Sequence, residues 1–235
     1  MKPKAMNTLG IFVKHPVVGR VKTRLAEAVG AEQAVEIYAA FVVDLVERFR
    51  RAADRRVLCF TPDHVDTKKF FQMMAGRDYH LWSQPDGSLG KRMVGFFAKH
   101  ITSGNDRVAL IGSDSPVLPE EYIDQAFSLL DNNDCVLGPA TDGGFYLIGQ
   151  RGRPWAIFDD VDWSGPRVLE QTVAKITACD ARLGLLPACY DVDTLDDLQV
   201  LRGHIQAMRQ AGMRIDLVHT ESILFRDTAH ETSQL

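Results

Sequence analysis

The segment Arg107-Val108-Ala109-Leu110-Ile111-Gly112-Ser113-Asp114-Ser115-Pro116 decides the fold. Val108 to Ile111 is apolar without interruption, the mark of a strand buried on both faces. Gly112 ends it. Pro116 turns Ser115 away from helical geometry, so the chain leaves the strand extended and presents Asp114 at the edge of a sheet. A carboxylate in that place either caps a turn or ligates a hard cation such as Mg2+ or Mn2+.

The surrounding sequence alternates strands with helices. Thr8–Lys14 and Arg56–Phe60 read as apolar strands, as do Tyr79–Trp82, Cys135–Pro139, Phe145–Gly149 and Leu183–Leu186. Between them Ala31–Ala53 carries Ala34, Tyr38, Phe41, Leu45 and Phe49 at helical spacing. Helices are also expected at Thr67–Ala75, Gly90–Ile101, Pro119–Asp131, Pro166–Ala178 and Asp196–Gln210, while Arg214–Phe225 gives no clear signal. Such repeated units predict a three-layer α/β/α fold around a mostly parallel sheet. No repeat, low-complexity run or Pro/Gly-rich linker divides the sequence, so a single domain spanning 1–235 is expected, with 226–235 as a frayed tail.

In such sheets ligands bind beyond the carboxyl ends of the strands, and the loops there hold most of the reactive side chains. Lys14–Arg24 (KHPVVGRVKTR) contains Lys14, Arg20, Lys22 and Arg24 and no acid, in a chain whose formal charge is −4. With Gly19 to let the backbone turn, it suits phosphate oxygens, although it lacks the Walker spacing; the alternative is a solvated basic loop. Gln84–Arg92 (QPDGSLGKR) offers Gly87, Gly90 and Arg92 for a ribose or base contact, or forms a plain turn.

Asp191 and Asp193 flank Val192, so an extended segment puts both carboxylates on one side, while Thr194 or Asp196 caps the next helix and Asp197 lies in its first turn. These acids and Asp114, with the basic loop, form a consistent set: phosphates bridged by Mg2+ or Mn2+. Asp142-Gly143-Gly144-Phe145-Tyr146 either lets a sugar or acceptor lie on the glycines or is a hairpin turn. Asp159-Asp160-Val161-Asp162-Trp163 either meets a sugar face through Trp163 or is an acidic surface loop. For an inverting transfer, Asp162 and then Asp142 are the candidate general bases.

Composition narrows the classes. Hydrophobic residues make up 46% and charged residues 25%, which excludes a disordered chain. Net negative charge argues against a nucleic-acid coat. Cys59, Cys135, Cys179 and Cys189 form no CxxC pair, and the histidines show no HExxH or HxH pattern, so zinc is not expected and free thiols in a reducing cytosol are. The apolar run Leu9–Val13 is too short for a signal peptide and no segment is long enough to span a membrane, so a soluble, cytoplasmic protein is expected. Ser113 and Ser115 lie in no G-x-S-x-G elbow, against a hydrolase.

The ordered set FVKHPVVGRVKTRL, SLGKRM, LIGSDSP, VLGPATDGGFYLIG, DWSGPRVLEQT and YDVDTLDDL resembles the bacterial GT-A-like transferases called arsenosugar-biosynthesis or radical-SAM-associated glycosyltransferases. These are related to the molybdenum-cofactor and deazaflavin-cofactor nucleotidyltransferases. The resemblance covers about Leu9 to Leu201. It implies a nucleotide-diphospho-sugar transferase fold, phosphate binding by Arg20–Arg24, and metal ligation by Asp114 (in D-S-P rather than D-x-D) and Asp193. The expected activity is metal-dependent glycosyl transfer from a nucleotide sugar to a small acceptor. The alternatives are nucleotidyl transfer from an NTP with release of pyrophosphate, and a non-catalytic nucleotide-binding protein on the same fold.

Overall fold

The computed structural model describes residues 5–163, 165–214 and 216–226. The chain opens with β1 (Asn7–Lys14), α1 (Thr23–Val29) and α2 (Ala31–Arg48), which ends in a 3-10 turn at Phe49–Arg51. It continues through β2 (Arg55–Thr61), α3 (Val65–Ala75), β3 (His80–Ser83) and α4 (Leu89–His100). The apolar run Val108–Ile111 falls in β4 (Arg107–Ile111), followed by α5 (Glu120–Leu129), β5 (Cys135–Pro139) and β6 (Phe145–Arg151). Then come α6 (Val168–Ala178), β7 (Leu183–Leu185), α7 (Leu195–Gln210) and α8 (Val218–Leu224).

The strands form one seven-stranded sheet in the order β3-β2-β1-β4-β6-β5-β7. β6 is antiparallel to β4 and β5, and the other pairings are parallel. Period-two alternation sends Leu9, Ile11 and Val13 to one face, under α2, α3 and α5, with Leu58, Phe60 and Ile111. Val57, Cys59, Val108 and Leu110 face the other way, onto Met93, Phe96 and Phe97 of α4 and Ile176 of α6. Gly10 leaves room on that second face: a Cβ there would lie 2.3 Å from the Phe96 ring. A third cluster joins α1, α2, α7 and α8 through Leu25, Phe41, Leu201 and Leu217.

The helix boundaries differ from the expected ones where capping decides them. Pro119 is the residue before α5 rather than its first, with ψ at 147°, and Glu120 begins the helix. Thr194 caps α7 in a reciprocal box with Asp197. α1 and α8 carry no clear helical signal in the sequence. α8 is held by Asp44, buried in α2, which accepts from the Thr220 N–H at 2.8 Å and the His219 N–H at 3.0 Å. The 140–144 segment is the turn of the β5–β6 hairpin. The four cysteines are free thiols. Of the expected tail, 227–235 lies outside the described residues, and Arg226 pairs with Glu36 at 3.0 Å. Among the described residues no helix is long and apolar enough to cross a membrane.

Candidate active site

Because β6 is reversed, the carboxyl ends of β1–β5 and β7 and the start of β6 lie along one edge of the sheet. The order of strands changes direction between β1 and β4. At such a switch point the loops diverge and leave a crevice. A cleft of about 570 Å3 opens there, and its wall includes Lys14, Arg20, Lys22, Asp114, Asp191 and Asp193. Three segments distant in sequence are thus gathered by topology.

Lys22 is the centre of this site. Its backbone is left-handed (φ 47°, ψ 44°), a conformation that costs a residue with a side chain roughly 1–2 kcal/mol. Its side chain is only 2% exposed, and its ammonium bridges Asp114 Oδ1 and, at 2.9 Å, Asp193 Oδ1. Burial pulls the ammonium's pKa down, but the two carboxylates outweigh it and hold the pKa above its ordinary value. Arg24 donates to the other oxygen of Asp193 at 2.5 Å. The rings of Tyr38 and Phe41 lie 6.0 and 5.8 Å from the Lys22 nitrogen.

Neighbouring groups fix this cluster. The Val192 N–H donates to the Asp114 carbonyl at 2.8 Å, tying the segment after β7 to the end of β4. Val192 itself is fully buried, so its flanking carboxylates turn to the cleft together. The Tyr38 hydroxyl bonds the Ser113 hydroxyl at 3.1 Å and accepts from the Lys14 N–H at 2.9 Å. Burial pushes the Asp191 carboxyl up to about 6; the Ser115 hydroxyl bonded to it opposes the shift, and the charges of Asp114, Asp142 and Asp193 add to it.

A second cleft, of about 670 Å3, adjoins the first and shares Leu89, Phe145 and Asp191 with it. Its wall also includes Asp142, Gly144, Trp163 and Arg24. Asp142 Oδ1 accepts from the Gly144 N–H at 2.8 Å, so this residue both shapes the hairpin turn and faces the cleft. The Phe145 and Trp163 rings meet edge to face at 6.3 Å. Asp162 is not among the described residues that line either cleft; its N–H donates to Gln171 Oε1 at 2.7 Å.

Other expected residues take different places. Gly87 and Arg92 line the first cleft. Gly90, in the first turn of α4, is buried beneath Trp163, where a Cβ would come within 2.7 Å of the indole nitrogen. Gly143 has φ +93°, and a Cβ there would lie 1.9 Å from the Pro166 carbonyl oxygen. Gly19 (φ +74°) turns the loop before Lys22 with open space around it. The structure adds Tyr38, Gln84 and Ser113 to the cleft wall, and Ser115 through its bond to Asp191. Tyr38 reads in the sequence as an ordinary core position of α2, and only its hydroxyl reaches the site.

Among the described residues no three His, Cys, Asp or Glu side chains form a metal cage. A nucleotide-bound Mg2+ asks less of a protein, since one or two carboxylates suffice beside the phosphate oxygens. Asp114 fits that requirement, with a side chain 45% exposed and one oxygen given to Lys22. Asp193 already gives one oxygen to Lys22 and the other to Arg24.

The profile of the family DUF2064, described as "Uncharacterized protein conserved in bacteria", matches residues 44–165. The chain belongs to this family. No curated protein matches it. Among solved structures, a Desulfovibrio desulfuricans G20 protein provisionally named a nucleotide-diphospho-sugar transferase is 33% identical, with TM-score 0.82, over 95% of this chain and 98% of that one. A nucleotidyl transferase from Methanothermobacter superposes with TM-score 0.58 at 12% identity, over 86% of this chain and 99% of that one. The 4-diphosphocytidyl-2C-methyl-D-erythritol synthase of Anaerococcus prevotii DSM 20548 gives 0.57 at 10%, again over 86% of this chain and 99% of its own. This DUF2064 chain therefore has the nucleotide-diphospho-sugar transferase fold, one shared with nucleotidyltransferases.

Proposed function

We propose that the chain is a glycosyltransferase that moves a sugar from a nucleoside-diphosphate sugar to a small acceptor. The observation that carries this reading is the junction of the two clefts at Asp191, Leu89 and Phe145. One cleft holds cationic groups for a diphosphate, and the other holds carboxylates and two aromatic rings for sugar and acceptor. The likeness to the Desulfovibrio protein supports the same donor class.

In this reading Arg20, Lys22 and Arg24 bind the diphosphate, with Lys14 at the entrance to the loop. Charge grows on the departing β-phosphate in the transition state, and donors already fixed around it stabilise that state more than the ground state. Lys22 suits this role because its carboxylate partners already hold it charged and in place. A divalent cation held by Asp114 and the phosphates, with Asp193 and Asp191 beside it, would supply further charge neutralisation. The acceptor hydroxyl oxygen bonds to the sugar's anomeric carbon, the bond from that carbon to the phosphate oxygen breaks, and the nucleoside diphosphate departs. Asp142 takes the hydroxyl proton if configuration inverts; Trp163 and Phe145 pack on the sugar.

A thermal-shift panel tests the donor class. Nucleoside-diphosphate sugars at 100 times their Kd should add roughly 2.7 kcal/mol of stability. Stabilisation by NTPs alone, with no response to any nucleotide sugar, would move the reading to nucleotidyl transfer.

A further inference from the structure

The cation between Asp114 and Asp193 belongs to the chain itself. The Lys22 ammonium donates to Asp114 Oδ1 and, at 2.9 Å, to Asp193 Oδ1, while Arg24 donates to the other oxygen of Asp193 at 2.5 Å. Two positive side chains thus answer two negative ones, and only one of the four carboxylate oxygens is left without a cationic partner among the described residues. Asp191, the third acid of this wall, is bonded to the Ser115 hydroxyl. The Lys22 side chain is 2% exposed, and its backbone is held in the left-handed region at φ 47°.

That arrangement opposes a free divalent ion. Mg2+ takes carboxylate oxygens into its own shell at about 2.0–2.1 Å. At Asp114 and Asp193 such an ion competes with the ammonium for the same carboxylates and is repelled by its charge. Lys22 does not yield readily, because a buried ammonium stripped of its carboxylate partners is left as an uncompensated charge. A nucleotide alters the balance. Its phosphates bring negative charge and further oxygen ligands to the ion. An ammonium has three N–H groups, and those that Lys22 gives to the two aspartates leave one for a phosphate oxygen.

We propose that Lys22 is an internal counter-ion that keeps divalent cations off Asp114 and Asp193 in the free protein, so that the site accepts one only together with a nucleotide's phosphates. The second half of this rests on the nucleotide reading of the same cleft; the first half does not. By linkage, nucleotide and metal then strengthen each other's binding by one common factor. Removing the ammonium uncouples them, because the aspartates become open to metal alone.

Calorimetric titration with Mn2+ tests the proposal without turnover. With no nucleotide present, Lys22→Met should bind Mn2+ at least about tenfold tighter than the unaltered protein, and adding Asp114→Asn should abolish the gain. In the unaltered protein the best of ADP, CDP, GDP and UDP should tighten Mn2+ binding at least about tenfold, and in Lys22→Met by less. Equal Mn2+ affinity of the two proteins without nucleotide, whether tight or weak, overturns the proposal; Lys22→Gln repeats the comparison if Lys22→Met does not fold. Mn2+ bound by the unaltered protein as tightly without nucleotide as with it, and lost in Asp114→Asn, overturns it whatever the Lys22 variants do. Failure of all four nucleotides to bind contradicts the proposed function and removes the second half, whereas equality of the two proteins removes the first half with that function intact.

Discussion

The buried ammonium of Lys22 donates to Asp193 Oδ1 at 2.9 Å, joining residues 171 positions apart in the chain. Lys22 also pairs with Asp114, so one internal cation holds together the loops that follow β1, β4 and β7. Its environment is asymmetric: the lysine side chain is 2% exposed, whereas those of Asp114 and Asp193 are 45% and 31% exposed.

That asymmetry predicts unequal costs. The double variant Asp114→Asn/Asp193→Asn leaves a buried ammonium without its charged partners and should lose about 3–5 kcal/mol of unfolding free energy. Lys22→Met leaves carboxylates that water can still reach and should lose about 1 kcal/mol. Urea denaturation of both measures the difference. A larger loss for Lys22→Met contradicts this picture of the site.

Nucleotide affinity should depend on the same cluster. Lys22→Met and Arg24→Ala each remove a charge-assisted contact, worth about 1.5–3 kcal/mol, so the Kd for a nucleoside diphosphate should rise roughly tenfold or more. Calorimetry on Arg24→Ala is the cleaner case, because Arg24 is the more exposed residue. An unchanged Kd in both variants would remove the basic loop from the phosphate site.

Divalent metal should strengthen that binding. Phosphates beside Asp114, Asp191 and Asp193 repel these carboxylates unless a cation intervenes. Excess chelator is expected to weaken nucleoside-diphosphate affinity at least tenfold, and Asp114→Asn to remove most of the metal's effect. Equal affinity with Mg2+ and with chelator would assign the whole neutralisation to Lys22 and its neighbours.

Stability should fall in mild acid because of His100. It is buried, neither ring nitrogen has a hydrogen-bond partner among the described residues, and its ring lies 4.8 Å from that of Phe96. Burial, then the charges of Arg55, Lys99 and His80, pull its pKa from 6.5 to about 4. The unfolded chain binds this proton near pH 6.5 and the folded chain only near 4. Its contribution is therefore intact above 6.5 and lost as pH falls between these values. His100→Leu should flatten Tm against pH in that window; an unaltered slope would show that other groups set it.

Much of this architecture is legible in the sequence. The apolar run of β4, the Pro116 break after it and the alternation Asp191-Val192-Asp193 are local signals, and each places its carboxylates at the correct edge. What is not legible depends on distant partners. α1 is hidden because Thr23 and Arg24 read as part of a basic loop, and its seven residues bury only Leu25. α8 depends on Asp44, 175 residues before His219. Lys22 reads as one of four bases in a phosphate-binding loop, and only the folded chain brings Asp114 and Asp193 around it. Asp162 lies near Trp163 in sequence, but the loop turns the tryptophan and not that carboxylate to the described cleft wall.

The central claim is group transfer from a nucleotide sugar, and its products test it most directly. The protein is incubated with nucleotide sugars, Mg2+ or Mn2+ and a panel of small hydroxyl-bearing acceptors, and in parallel with NTPs and sugar phosphates. The account predicts acceptor-dependent release of nucleoside diphosphate, lost in Lys22→Met and at least 100-fold slower in Asp142→Asn if configuration inverts. Release of pyrophosphate from the NTP reaction, with no diphosphate released from any nucleotide sugar, would contradict it.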